Sequence, residues 1–113
     1  MKFQALALAV ALAGGLSAQS AGSFTESGLA VYYGGKADAR TGFTAAHRTL
    51  AFGTWLRVSR TDTARSVTVL VNDRGPWDDS RRIIDLSIAA ARQLGILDAG
   101  MAPVTIVAVA TPR

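Results

Sequence analysis

Asp73 and His47 are the residues of this chain whose types and settings best suit chemistry. Asp73 lies in Val71-Asn72-Asp73-Arg74-Gly75-Pro76-Trp77, which ends the apolar run Val67-Thr68-Val69-Leu70-Val71. A Gly-Pro pair after a strand turns the chain, so Asp73 is expected at a strand end with its carboxyl group beside the turn. Acid–base catalysis needs such a group: fixed in backbone, partly open, with neighbours that tune its pKa. The same composition also forms turns in which an Asp only bonds its own backbone. A free Asp titrates near about 3.9, too low for a good general acid at neutral pH. Partial burial in a groove would raise it, whereas close pairing with Arg74 would lower it. His47 is the only histidine, and a lone histidine is more often structural than catalytic. With one His and no Cys, the chain lacks a typical zinc shell, and no metal or cofactor is expected.

Aromatic and polar residues surround these two in sequence. Tyr32, Tyr33 and Trp77 offer flat aromatic faces, and Asn72 and Arg74 offer hydrogen-bonding groups. Alternation along a strand puts one of the two tyrosines in the core. Trp77, just past the turn, is the better platform. Asp85 reads as structural, accepting backbone bonds near the start of a helix capped by Ser87.

Strands and turns must position these groups. Gly28-Leu29-Ala30-Val31-Tyr32-Tyr33-Gly34 reads as a strand bounded by glycines, and Gly34 to Phe43 as a loop. Thr44 to Arg48 has room for one helical turn at most. Thr54 to Arg60 alternates, with Leu56 and Val58 on one face and Trp55, Arg57 and Ser59 on the other. Ser66 to Val71 is a more uniformly apolar strand, and Thr61 to Arg65 is the turn between the two. Ser87 to Gly95 is the one clear helix, with Ser87 as N-cap, Gly95 at C′ and a stripe of Ile88, Ala91 and Leu94. Val104 to Val109 closes the domain as a last strand. Short strands, one short helix and many glycine turns predict a small, mainly β barrel.

The ends and the composition bound the setting. Lys2, the apolar Ala5 to Leu16 and the small polar Ser17 to Ala21 have the three-part form of a secretory signal peptide, cleaved after Ala18 or Ala21. Residues 22–27 are expected as a flexible leader and 28–110 as the barrel. No Cys follows the apolar run, so no lipid or membrane anchor is expected after signal cleavage. The product is expected to be an exported, periplasmic monomer. With no cysteine, a core of roughly 90 residues must hold without disulfides. The formal charge of +4 comes mainly from arginines, among them Arg40, Arg48, Arg57, Arg60, Arg65, Arg74, Arg81, Arg82 and Arg92. Such a surface suits an anionic or hydroxyl-rich polymer. The export signal and the lack of any nucleic-acid motif argue against nucleic acid.

Three segments taken together resemble the rare lipoprotein A (RlpA) family. They are Thr44-Ala45-Ala46-His47-Arg48-Thr49-Leu50-Ala51-Phe52-Gly53-Thr54, Val71 to Pro76, and Arg82-Ile83-Ile84-Asp85-Leu86-Ser87. The opening Gly28 to Gly34 is similar to that family's first strand, so the resemblance spans about residues 28 to 109. It implies a six-stranded double-psi β-barrel with one short helix, shared with expansins. It also implies an endolytic lytic transglycosylase of peptidoglycan glycan strands, preferring strands without stem peptides. The family's members usually carry a Glu in the loop before His47; here Gly35 to Phe43 has none, and Asp38 is its only carboxylate.

Ordinary glycoside hydrolysis uses two carboxyl groups. Lytic transglycosylation asks for less, because the 6-hydroxyl of the muramic acid residue attacks its own anomeric carbon and closes a 1,6-anhydro ring. Asp73 is the expected catalytic carboxyl group, with His47 beside it in the same groove as the resemblance implies. Asn72, Arg74, Trp77 and Tyr33 are the expected glycan contacts. The departure at the loop keeps a second reading open, a non-catalytic module of the expansin type that grips peptidoglycan.

Overall fold

In the computed structural model, which describes residues 24–112, six strands and one helix follow one another along the chain. They are β1 (Thr25–Tyr32), β2 (Thr44–Ala46), β3 (Trp55–Arg60), β4 (Ser66–Asp73), β5 (Arg82–Leu86), α1 (Ile88–Leu94) and β6 (Ala102–Val109). The strands close into a barrel in the order β1-β5-β2-β4-β3-β6. Two neighbours run parallel, β1 with β5 and β2 with β4, and the other pairs are antiparallel. Closure leaves no free sheet edge, which suits a chain with no disulfide to brace it. The expected six-stranded mixed barrel with a short helix is the fold observed.

Alternation decides what fills the interior. Leu56 and Val58 of β3 point inward while Arg57 stays exposed, as the sequence pattern predicts. Val67, Val69 and Val71 of β4 join Ile84, Leu86, Val104 and Ile106 in one core, completed by Ala90, Ala91, Leu94 and Ile96 from the helical side. Ser87 caps α1 by accepting a bond from Ala90 N, and Gly95 ends it in the left-handed region. Ile88, expected in the apolar stripe, is exposed. Ala90 takes its place, because α1 meets the barrel mainly through its Ala90, Ala91 and Leu94 side.

Several boundaries differ from the sequence reading. β1 starts at Thr25, so Thr25, Glu26 and Ser27 are not leader but pair with Val107, Ile106 and Thr105 of β6. Thr44 to Ala46 is not helical; it is the short strand β2, wedged between β4 and β5. Its two alanines are fully buried where larger side chains would crowd the barrel. Arg82 to Leu86, to which periodicity assigned nothing, is β5. Such strands exist because neighbours on both sides supply ladder partners, a tertiary effect that local propensity does not carry. β6 begins at Ala102 rather than after Pro103. The expected signal peptide lies outside the described residues. Among the described residues, no helix is long and apolar enough to cross a membrane.

Candidate active site

β2 is the centre of the site because both its neighbours carry a carboxylate at or next to their last residue. Ala46 is in register with Asp73 of β4 on one side and with Asp85 of β5 on the other. Residues in register share a face, and adjacent strands lie about 4.8 Å apart. The two aspartates therefore flank Ala46 on one face, with their Cα atoms about 10 Å apart. Ala46 itself offers only a methyl group and is buried between them.

The two carboxyl groups are tuned in opposite directions. Asp73 accepts a bond from the Tyr33 hydroxyl at 2.8 Å on Oδ2 and one from the Arg74 N–H at 2.9 Å on Oδ1. These two bonds, the Tyr33 hydroxyl foremost, hold its pKa below the usual carboxylate value, with the charges of Lys36 and Arg74 helping. The Arg74 guanidinium does not pair with it. Asp85 moves the other way: burial is the main cause, and the charges of Asp78 and Asp73 add to it against Arg82. Its Oδ1 is buried without a bonding partner. The structural role expected for Asp85, accepting backbone bonds at the helix start, is not what it does; Ser87 makes that cap without it. Tyr33 completes the cluster, its hydroxyl pKa pushed up by burial and by its bond to Asp73, with the charge of Asp85 contributing.

His47 reaches Asp73 only through the backbone, its N–H donating to the Asp73 carbonyl at 3.1 Å. Its ring turns instead to Glu26 of β1, with Nε2 2.9 Å from Oε1. Nδ1 accepts from the N–H groups of Thr49 and Leu50 at 3.1 and 3.2 Å. The imidazole is buried, so the expected bond from this ring to the Asp73 carboxylate or to a sugar is replaced by internal bonds. Burial beside a strand residue that the sequence reading left in the leader accounts for the difference.

The remaining expected contacts divide into braces and open surface. Arg74 donates to the carbonyls of Leu50 and His47 at 2.7 and 3.2 Å and stacks 4.3 Å over the exposed Phe52 ring. Asn72 donates to the Lys36 carbonyl at 3.0 Å, which ties the Gly34–Phe43 loop to β4. In that loop Asp38 is clamped by the side chain and N–H of Arg40. These bonds, side chain first, hold its carboxyl group down to about 2. It is an ionised anchor and not a proton donor. Trp77 is 69% exposed, the most open large apolar side chain described. Its loop is held by Arg48, which donates to the carbonyls of Pro76, Asp79 and Arg82 at 2.7, 2.7 and 2.6 Å. Tyr32 is the core tyrosine of the pair, packed on the core with its hydroxyl on the Leu97 carbonyl.

Asp85 and Glu26 are the site residues that sequence reasoning missed. A signal existed for Asp85: a carboxylate inside the apolar run Ile83-Ile84-Asp85-Leu86 must be buried at some cost. Glu26 carried none, since three polar residues before a glycine read as a leader.

Known proteins are similar to this chain in sequence and in fold. The lytic transglycolase family matches residues 17–106. The endolytic peptidoglycan transglycosylase RlpA of Vibrio cholerae is 45% identical over 93 residues, covering 74% of this chain and 35% of that protein. RlpA of Neisseria meningitidis serogroup B is 44% identical over 93 residues, covering 74% of this chain and 38% of that protein. The chain thus spans between about a sixth and two fifths of the length of the curated relatives it matches. Among solved structures, the expansin of Clavibacter michiganensis superposes with a TM-score of 0.63 at 27% identity, over 80% of this chain and 52% of that one. A D78N mutant of that expansin has been solved in complex with cellohexaose. The Streptomyces papain inhibitor superposes with a TM-score of 0.61 at 27% identity, over 78% of this chain and 96% of that one. With a family match over most of its length and RlpA sequences at about 45% identity, the chain belongs to the lytic transglycolase family as an RlpA-type double-psi β-barrel domain.

Proposed function

We propose that this protein is an endolytic peptidoglycan transglycosylase in which Asp73 and Asp85 divide the proton work. The observation that carries the reading is the pair of aspartates flanking Ala46 with pKa values pushed apart. Two titratable groups separated in this way mark a base and an acid. Asp85, the group biased toward its neutral form, donates a proton to the glycosidic oxygen as the bond to the anomeric carbon breaks. A glycan seated over it removes more water and strengthens that bias. Asp73, kept ionised by Tyr33 and the Arg74 N–H, faces the positive charge that develops on the sugar. The 6-hydroxyl of the muramic acid residue attacks the anomeric carbon and gives its proton to Asp73. One bond breaks, one forms, and one end becomes a 1,6-anhydro ring with no water consumed. The proton gained at Asp73 and that lost from Asp85 balance through solvent when product leaves.

Two other residues support a glycan contact. Trp77 is exposed on the segment that follows β4 and offers a sugar platform, and Tyr33 holds the Asp73 carboxylate. The preference for strands without stem peptides, export to the periplasm and a monomeric state belong to this proposal. Mass spectrometry of soluble products from amidase-stripped peptidoglycan tests it, with Asp73→Asn as control. Anhydro-ended glycans from wild type alone are expected. Equal cleavage by Asp73→Asn would sink the assignment.

One observation favours a second reading. The barrel is similar to an expansin whose D78N mutant holds cellohexaose, and the loop before His47 lacks the family's Glu. A glycan-gripping module releases no products yet sediments with insoluble peptidoglycan, and Trp77→Ala weakens that sedimentation.

A further inference from the structure

The His47 side chain is 5% exposed, yet both ring nitrogens have partners. Nδ1 faces two N–H donors, those of Thr49 and Leu50. A proton on Nδ1 would point at both of them, so the neutral ring carries its proton on Nε2. Nε2 meets Glu26 Oε1 at 2.9 Å. Glu26 is itself fixed in β1 opposite Ile106 of β6. Phe24 closes the remaining side edge-on, with ring centroids 5.9 Å apart and planes at 88°.

We infer that Glu26 is a positioning residue: it accepts the Nε2 proton, fixes the His47 tautomer and thereby sets the loop that holds Asp73. The inference rests on the transglycosylase reading above. The bonds run in series. Nδ1 gathers the N–H groups of Thr49 and Leu50, which defines the turn from His47 to Leu50. The carbonyls of His47 and Leu50 then take the Arg74 guanidinium at 3.2 and 2.7 Å. The Arg74 N–H holds Asp73 Oδ1, while the His47 N–H holds the Asp73 carbonyl. The next residue, Arg48, carries the loop of Trp77. Without an acceptor at Nε2 the buried Nε2–H is left unpaired, and the ring relieves that cost only by tilting or by taking the other tautomer, whose Nδ1–H opposes the two donors that shape the turn. Small misplacement of a reacting group costs rate out of proportion to the distance moved.

Only an acceptor oxygen is required of Glu26, so Gln should serve and Ala should not. The test uses the full chain with Glu26→Ala and Glu26→Gln, and has two readouts. Nitrogen-15 shifts of the His47 ring report the tautomer without any turnover. Product formation from soluble stripped glycan gives kcat and KM separately. Wild type should show an unprotonated Nδ1 and a protonated Nε2. Glu26→Gln should keep that spectrum and lie within about three-fold of wild-type kcat, whereas Glu26→Ala should lose the single tautomer and up to about 10²-fold in kcat, with KM nearly unchanged. A wild-type ring protonated on Nδ1 overturns the inference. So does Glu26→Ala with both spectrum and kcat intact, or Glu26→Gln falling as far as Glu26→Ala. If Glu26→Ala does not fold, the wild-type and Glu26→Gln spectra and rates decide. If wild type releases no anhydro ends, the transglycosylase reading fails and the ring spectra still test the lock.

Discussion

Asp73 and Asp85 are the same functional group in two surroundings, and the difference between those surroundings is what a proton-transfer site needs. Asp73 is given two donors and keeps its charge; Asp85 is given burial and an orphaned oxygen, and is pushed toward its neutral form. The proposed mechanism requires the first ionised and the second protonated. The rate should therefore rise with pH as Asp73 loses its proton, below the usual carboxylate value, and fall again as Asp85 loses its own above that value. The pH profile of kcat/KM on stripped glycan should be a bell, with its acid limb below the usual carboxylate value and its alkaline limb above it. Asp85→Asn should cut kcat by about 10²–10⁴-fold and abolish the alkaline limb. The same substitution should stabilise the fold. A carboxyl group whose folded-state pKa is raised contributes stability below its unfolded pKa and forfeits it as pH rises through the folded value. At neutral pH, Asp85→Asn should thus melt above wild type, and the gap should close on acidification. A melting point below wild type at neutral pH would mean the carboxylate has a structural partner.

At the scale of elements, the short strand β2 and the loops after it do the positioning. β2 joins β4 to β5 and so brings Asp73 and Asp85 to one face. The residues that follow it brace the surroundings, with Arg48 tying the Pro76–Arg82 segment through three carbonyls. Arg48→Ala should cost about 1–3 kcal/mol in denaturant unfolding, since those carbonyls lose charged donors. It should also weaken glycan binding, because the Trp77 loop is no longer held. Arg48→Lys should restore little, as a single ammonium lacks the planar fork that serves several carbonyls at once. Unchanged unfolding of Arg48→Ala would show the loop to be self-supporting. β3 was legible in sequence from its period-two pattern, β4 from its apolar run and α1 from its cap residues. β2 and β5 were not, because three and five residues between partners carry little periodicity of their own.

Over the whole molecule, closure of the barrel is the condition for everything at the site. β1 passes so close to β5 that a Cβ on Gly28 would lie 2.7 Å from Ile83 Cγ2 and 2.9 Å from the Arg81 carbonyl. Gly28→Val should destabilise the protein by about 1–3 kcal/mol or more, read as a lower denaturant midpoint with an unchanged slope. A midpoint equal to wild type would mean that the β1–β5 seam can relax. The charge excess also reads differently at this scale. Eight of the nine arginines named in the sequence donate within the protein, to carboxylates, carbonyls or a hydroxyl. Much of the arginine content therefore braces loops and turns.

Local sequence was enough for the mainly β character, the capped helix, the inward face of β3, the apolar strand β4, and the placing of Asp73 at a strand end before a turn. Its motifs also carried the family. Each of these depends on residues adjacent or regularly spaced along the chain. Only the tertiary structure decided that Asp85 stands across Ala46 from Asp73, that His47 turns to Glu26, and that Arg74 braces a loop instead of pairing with its neighbour. Those relations join residues 21 to 39 positions apart, through parallel and antiparallel ladders and through side-chain bonds. Barrel closure sets which residues meet there, and no local pattern records it.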